Sequence, residues 1–343
     1  MRPVNKASAP ILAAGLFAGL SLIATPARAD KSPLDPSIIH NYGENETPRS
    51  AAMGGALRAM GSGSSAVFLN PAALPEVRLY HIQALAQVTP ETGRQVYGGT
   101  IVDSVTSRLA GSFSLLGGFM DPSGIDRSFL DMRLGLAFPI TDKFLIGLGG
   151  RYLKISQSGL GPFGLSQASG GLIDAGATAE PGKPPPRLAM LNTVTWDAGI
   201  VVKPTDSIYI AAVGQNLTYT KNGLMPLTVG GGVGYGGEAF SIEGDAIADL
   251  SSWSTPTARL GLGGEYVVAS VVPIRAGYRF DQGAKLHTLS LGAGYVGQSF
   301  SIEGAVKRTL SSPGETMMVF SIAYHLESSG LTRGSAAEAA AGQ

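Results

Sequence analysis

The sequence predicts an all-β chain, a transmembrane antiparallel β-barrel of about fourteen strands, and three observations carry that prediction. Of its 343 residues only 15% are charged and 48 are glycine, with a mean hydropathy of +0.17; an ordinary soluble domain has about 25% charged residues. Beyond residue 30 no uninterrupted apolar run reaches the roughly 20 residues that a spanning helix needs. From Leu79 onward, segments of about ten residues alternate between apolar and polar and are separated by turn residues, as strands crossing a bilayer do.

The first element is an export leader. Arg2 and Lys6 give a positive start, Ile11 to Ala24 is apolar, and Ala27-Arg28-Ala29 offers the small-x-small pattern of a cleavage site. Residues 1–29 are read as this leader, with the mature chain starting near Asp30; no Cys follows Ala29 to take a lipid. The absence of cysteine suits an oxidising periplasm. Positive and negative side chains balance at 25 each, so no basic field for nucleic acid is implied.

Residues 30–78 do not alternate. They contain Pro33, Pro36, the small-residue run Ser50 to Ala56 and the run Asn70-Pro71-Ala72-Ala73-Leu74. A barrel of eight strands is filled by its own side chains, whereas a wider one leaves a lumen unless something fills it. A compact stretch of Ala, Gly, Ser and Met suits that task and would gain nothing by standing in water.

The barrel proper is assigned to residues 79–327, with strands centred near 84, 98, 113, 134, 149, 197, 212, 231, 245, 262, 277, 291, 304 and 321. In the last, Met318, Phe320, Ile322, Tyr324 and Leu326 share one face, while Val319, Ser321, Ala323 and His325 share the other. Asp131 to Ile140 follows the same rule. The strand charges fall mainly on the inward face: Arg108, Asp131, Arg133, Arg151, Asp197, Glu243, Asp245, Arg259, Glu265, Arg275, Arg279, Glu303 and Lys307. A bilayer enforces this, because an Arg or Lys facing lipid at mid-depth costs about 2–4 kcal/mol.

The connections sort by length. Ile140–Lys143, Pro204–Ser207, Gly236–Ala239, Ala269–Val272 and Gly297–Ser299 are short and are assigned to the periplasm, and the longest, about 157–190, to the outside. Outward aromatics, among them Tyr80, Phe138, Phe144, Tyr235, Phe240, Tyr266, Tyr295, Phe300 and Tyr324, gather at the periplasmic strand ends as an interfacial girdle. Gly234 to Gly244 recurs as Gly294 to Gly304, one hairpin used twice. A polar tail, 328–343, closes the chain.

The N-terminal run carries a resemblance. Met53-Gly54-Gly55-Ala56, a small-residue stretch through Ser65, and Ala66-Val67-Phe68-Leu69-Asn70-Pro71-Ala72-Ala73-Leu74 resemble the hatch signature of the FadL superfamily of long-chain fatty-acid and aromatic-hydrocarbon transporters, which includes PorV/PorQ-like barrels. Val213 to Thr218, Leu260 to Tyr266 and Pro273 to Tyr278 agree with it. The resemblance implies a fourteen-stranded barrel with the N-terminal segment as a hatch inside, its motif residues being Gly54, Gly55, Ala56, Asn70, Pro71 and Ala72. It further implies capture of a small hydrophobic molecule outside, a shift of the hatch, and sideways exit through the wall. In fatty-acid transporters of this kind a kink in the third strand makes that exit, which points to Gly117 and Gly118 as the candidate lateral gate. The family also offers an alternative, a PorV-like barrel that docks secretion or surface-motility proteins, and short external connections with a polar tail lean toward it.

Partners then follow as outer-membrane lipids, the barrel assembly machinery and a hydrophobic solute. No catalytic, cofactor or metal site is expected. His40, His81, His287 and His325 show no metal-ligand spacing. Gly232-Val233-Gly234-Tyr235-Gly236-Gly237 matches a dinucleotide fingerprint but lies between two strands, without the helix that chemistry requires. Ser321 with His325, and Ser301 with Glu303, read as lumen lining rather than as a hydrolase site.

Overall fold

The computed structural model describes residues 45–120, 127–158, 187–218, 225–253, 255–310 and 314–328. The leader, residues 30–44, the tail beyond 328 and most of the 157–190 connection lie outside the described residues. Among the described residues fourteen strands form one closed antiparallel barrel in sequence order. They are β1 (Leu79–Thr89), β2 (Arg94–Asp103), β3 (Ala110–Met120), β4 (Arg127–Thr141), β5 (Phe144–Ser158), β6 (Arg187–Val202), β7 (Ile208–Gln215), β8 (Thr228–Gly236), β9 (Phe240–Asp249), β10 (Thr257–Val268), β11 (Val272–Asp281), β12 (Leu286–Val296), β13 (Phe300–Thr309) and β14 (Thr316–Ser328). Each centre expected from the alternation falls within its strand. β1 closes on β14, so no strand edge is left unpaired in hydrocarbon.

The pleat does what the pattern asks. On β14 Ser321, Ala323 and His325 are buried while Phe320, Ile322, Tyr324 and Leu326 are exposed. Outward side chains such as Leu148 at 66% and Trp196 at 61% exposure would be costly in water and are at ease against acyl chains. The inward charges of β4 to β11 are buried, Glu243 to 0% and Arg275 to 2%, except Arg279, which is half-buried. Arg108 departs from the expectation. It lies in the β2–β3 connection, where it donates to Pro139 O at 3.1 Å and covers the Phe138 ring at 5.3 Å. The reason is local. Asp103 Oδ1 accepts the amides of Val105 and Thr106, both at 3.0 Å, and this Asx turn ends the strand before Arg108 without any Gly or Pro to announce it.

The duplicated hairpins close identically, Gly237 N on Phe240 O at 2.8 Å and Gly297 N on Phe300 O at 2.9 Å. Phe240 opposes Tyr266 and Phe300 opposes Tyr324 at the end of the barrel that carries the short connections, whereas the outward Tyr97, Phe119 and Tyr278 lie toward the other end.

The wall is uneven in height. β4, β5 and β6 are 15, 15 and 16 residues long, whereas β7 has 8 and β8 has 9. β6 pairs with β5 from Phe144↔Val202 to Ser158↔Arg187, but with β7 only from Ala198↔Gly214 to Val202↔Ile210. Gly117 and Gly118 lie within β3, opposite Tyr97 and Val96 of β2 and Leu130 and Phe129 of β4, without a register shift on either side.

Candidate functional site

The described part of the N-terminal segment, from Asn45, runs inside the barrel. Helix α1 (Pro48–Ala52) begins where Thr47 Oγ1 accepts Ser50 N at 3.2 Å, with Pro48 at the first helical position. It ends in a Schellman motif: Gly54 N reaches Ala51 O at 3.2 Å and Gly55 N reaches Ser50 O at 2.8 Å. That ending needs a left-handed residue, and Gly54 has φ +66°. Gly54 also lies against the wall. A Cβ on Gly277 of β11 would overlap Gly54 N, and one on Gly54 would meet Tyr278 O at 2.6 Å. Glycine on both sides lets the two backbones touch.

Beyond α1 the chain is held by inward carboxylates of β9. Glu243 accepts Ala59 N at 2.6 Å and Met60 N at 2.8 Å; Asp245 Oδ2 accepts Leu57 N at 3.2 Å, Arg58 N at 3.3 Å and Arg58 Nη1 at 3.0 Å. Four successive amides, outside any helix and away from water, thereby find acceptors they would otherwise lack. Further ties join the segment to other strands. Arg49 pairs with Glu265 at 3.2 Å, Glu46 with Lys307 at 2.7 Å, and Asn45 Nδ2 donates to Asp131 at 2.8 Å.

The second half docks differently. Helix α2 (Gly63–Leu69) and the 3-10 turn Pro71–Glu76 put Val67, Phe68, Leu69 and Leu74 into an apolar cluster with Val96, Leu116, Ala137, Leu145 and Val201, inward residues of β2 to β6. Asn70 links the two halves. Its Oδ1 accepts Ala72 N at 3.1 Å, and its Nδ2 donates to Arg58 O at 2.8 Å. Pro71 opens the turn, and Ala72 lies against Gly147 of β5, where a Cβ would overlap its backbone. Of the hatch-motif residues, Gly54, Gly55 and Ala56 thus lie on the charged side of the lumen and Asn70, Pro71 and Ala72 on the apolar side.

Between the segment and β4 to β11 remains a cavity of about 90 Å3, lined by Phe68, Leu69, Pro226, Ile247 and Leu260 among many polar groups. That is room for a few small molecules of water size. Every arginine lining it already has a carboxylate: Arg58–Asp245 at 3.0 Å, Arg133–Asp131 at 3.2 Å, Arg151–Asp131 at 2.8 Å, Arg259–Asp281 at 3.1 Å and Arg279–Glu46 at 3.9 Å.

The remaining chemistry-bearing residues stay apart. Ser321 Oγ accepts Gln83 Nε2 at 3.1 Å rather than meeting His325, and Glu303 is bound to Arg275. His81 Nε2 lies 2.8 Å from Ser64 Oγ and its ring faces that of His325 edge-on, while His287 meets Tyr278 outside the barrel. His40 lies outside the described residues. Gly232 to Gly236 form part of β8, where Gly234 leaves room for the Met60 side chain. The sequence reading did not single out Glu46, Thr47 or Arg58, and it quoted Phe68 only as part of the hatch signature. Thr47-Pro48 followed by Gly54-Gly55 is a helix start-and-stop signal that marks the first two; Arg58 and Phe68 carry no such sign.

No family profile matches the sequence, and no curated protein matches it. Solved structures do. The toluene transporter TbuX of Ralstonia pickettii superposes with a TM-score of 0.58 at 16% identity, over 83% of this chain and 99% of that one. A FadL homologue of Pseudomonas aeruginosa gives 0.58 at 16% identity, over 82% and 98%. The monoaromatic hydrocarbon channel CymD gives 0.59 at 12% identity, over 83% and 97%. The described residues therefore form a closed fourteen-stranded barrel with the fold of the toluene transporter and the FadL homologue.

Proposed function

We propose that this barrel is an outer-membrane channel for small, neutral hydrophobic molecules and that residues 45–78 act as its hatch. The observation that carries the reading is the lumen filled by a segment clasped on polar contacts, beside a cavity in which each lining arginine is already paired. A carboxylate-bearing solute finds no unpaired cation among the described lining residues, so an uncharged solute suits the cavity better than a fatty-acid anion. Two of the similar structures are described as a toluene transporter and a monoaromatic hydrocarbon channel, which supports the same class. The driving force is passive, since an apolar solute gains about 25 cal/mol per Å2 on leaving water. The surrounding partners are outer-membrane lipids, and assembly by the barrel assembly machinery would read the strand ending at Tyr324 and Leu326.

A second reading, a PorV-like barrel that docks secretion or motility proteins, is favoured by the tall β4–β6 wall, whose outward face turns polar at Lys154 and Asn192. Uptake of labelled toluene and labelled oleate by a deletion strain and its complemented parent separates the two. Toluene uptake that depends on the protein, with oleate uptake unaffected, supports the channel. Unchanged uptake of both, with partners recovered in pulldown, supports docking.

A further inference from the structure

Two histidines from opposite ends of the barrel sequence meet where the barrel closes. His81 lies near the start of β1 and His325 near the end of β14, and the ladder between these strands sets them directly opposite each other. Both are buried, with 4% and 8% of their surface exposed. Their ring centres are 5.7 Å apart and the ring planes cross at 74°. The ladder slips here: Tyr80 faces Glu327 but His81 faces His325, so β14 carries Leu326 as an extra residue. A bulge of this kind re-aims the side chains beside it, and bulges gather next to functional sites.

The ring nitrogens are the anomaly. His81 Nε2 meets Ser64 Oγ of α2 at 2.8 Å, but its Nδ1 has no hydrogen-bond partner, and neither nitrogen of His325 has one. Burying a polar nitrogen unpaired is unfavourable, and such orphans in a folded protein call for a bound water or ion. The N-terminal segment is shaped around the ring as well, since a Cβ on Gly63 would come within 2.8 Å of His81 Cε1. One ring nitrogen fixed by a hydrogen bond, with the other left open, is how a metal-ligating histidine is held. The spacing agrees: an ion about 2.0–2.1 Å from a nitrogen of each ring sets the ring centres about 5–6 Å apart. No cluster of three or more metal-type side chains occurs among the described residues, so water must complete the shell. Imidazole suits Zn2+ and Cu2+, whereas Ca2+ and Mg2+ take oxygen.

We propose that His81 and His325 form a two-histidine site for a first-row transition ion, Cu2+ or Zn2+, with Ser64 orienting His81. The site lies at the end of the lumen that carries the short connections, where His325 N bonds Ser299 O at 2.8 Å. An ion held there bridges β1 to β14 and, through Ser64, ties that seam to the N-terminal segment. Sequence spacing does not show the pair, because only the closure of β1 on β14 brings the two rings together. The site depends on that closure and not on what the barrel conducts, so it stands or falls apart from the channel reading.

The test uses the full-length protein in detergent, purified without a polyhistidine tag, stripped with EDTA and titrated with Cu2+. The chain has four histidines, so H40N/H287N leaves only the proposed pair and does not touch it. Electron paramagnetic resonance of that variant, as of the wild type, should show two imidazole nitrogens on one Cu2+. His81→Asn and His325→Asn should each weaken binding at least about ten-fold and leave a one-nitrogen signal, while Ser64→Ala weakens it about ten-fold with both nitrogens kept. Zn2+ should displace Cu2+ at excess, and Mg2+ should not. Heat-modifiable mobility confirms assembly of each variant. Should His81→Asn or His325→Asn fail to assemble, the nitrogen count in H40N/H287N decides. The site is overturned if H40N/H287N shows fewer than two nitrogens, or if assembled His81→Asn and His325→Asn bind Cu2+ as tightly as the wild type.

Discussion

The lumen has two unlike sides, and the N-terminal segment meets each in a different currency. Toward β2–β6 it presents Val67, Phe68, Leu69 and Leu74 to apolar side chains, with backbone laid against Gly147. Toward β9–β13 it presents amides, Glu46 and Arg49 to Glu243, Asp245, Glu265 and Lys307. Apolar contact is non-directional and tolerates a small slide, since its strength follows buried area. The polar side is directional, and any displacement that separates Glu243 from its two amides leaves all three groups buried and unpaired. The apolar side therefore sets where the segment rests, and the polar side sets whether it stays. A hatch that shifts would release first on the charged side.

The largest expected effect removes both sides at once. Deleting residues 31–74 should leave a heat-modifiable barrel, because the closed strand ladder does not depend on what fills it. Single-channel recording in planar bilayers should then show a steadily conducting pore, against a nearly closed intact protein. Equal conductance for the two proteins would mean that the segment does not close the pore, and the contrast between the two sides would lose its functional meaning.

The next test sets the sides against each other. Glu243→Ala with Asp245→Ala strips four amides of their acceptors, at about 1–3 kcal/mol for each group left buried and unpaired. The expected result is flickering conductance and faster proteolysis around residues 57–60 in detergent. Phe68→Ala removes about 3–5 kcal/mol from the apolar side. There the neighbours close in and the polar clasp remains, so melting should shift while the pore stays shut. Flickering in Phe68→Ala and silence in the double variant would reverse the assignment of roles.

Strand positions and faces were legible because a bilayer forces each spanning segment to alternate, and Glu243 is inward for the plain reason that Ser241-Ile242-Glu243 must keep the pleat. Its partners were not legible. Ala59 and Met60 stand 184 and 183 positions upstream in a stretch with no period, and only the closed barrel brings them to the carboxylate. Arg108 was misplaced for a related reason: Ser104 to Arg108 has strand-like composition, and the Asx turn at Asp103 depends on backbone geometry. The short β7 was hidden as well. Its alternation runs on through Leu217, and Asn216 ends the strand only because Asn tolerates the left-handed region.

A smaller effect is expected at Asn70, where the two sides are joined. Asn70→Ala loses the bond from Ala72 N and the one to Arg58 O. It leaves both partners buried, at about 1–3 kcal/mol for each. Conductance should stay near the closed level, with rare openings, because both the clasp and the apolar contacts survive. A pore as open as the double carboxylate variant would show that the joint, rather than the charged side, keeps the segment in place.

The smallest effect lies at the rim, where an ion pair resembles those in the lumen in geometry but not in setting. Arg308 meets Glu91 at 2.9 Å, yet the two side chains are 30% and 19% exposed, against 4% and 0% for Arg151 and Asp131. Water competes for the rim pair and salt screens it, so it is worth about 0–1 kcal/mol. The Arg151 pair is shielded, and removing the arginine leaves the buried Asp131 with only Arg133 and Asn45, a larger loss than any expected at the rim. Arg308→Ala should therefore leave thermal unfolding in detergent nearly unchanged, with the slight difference vanishing at high salt, whereas Arg151→Ala lowers it at any ionic strength. A large, salt-independent loss from Arg308→Ala would show that the rim is as closed to water as the lumen, and the distinction between clasp and surface would have to be redrawn there.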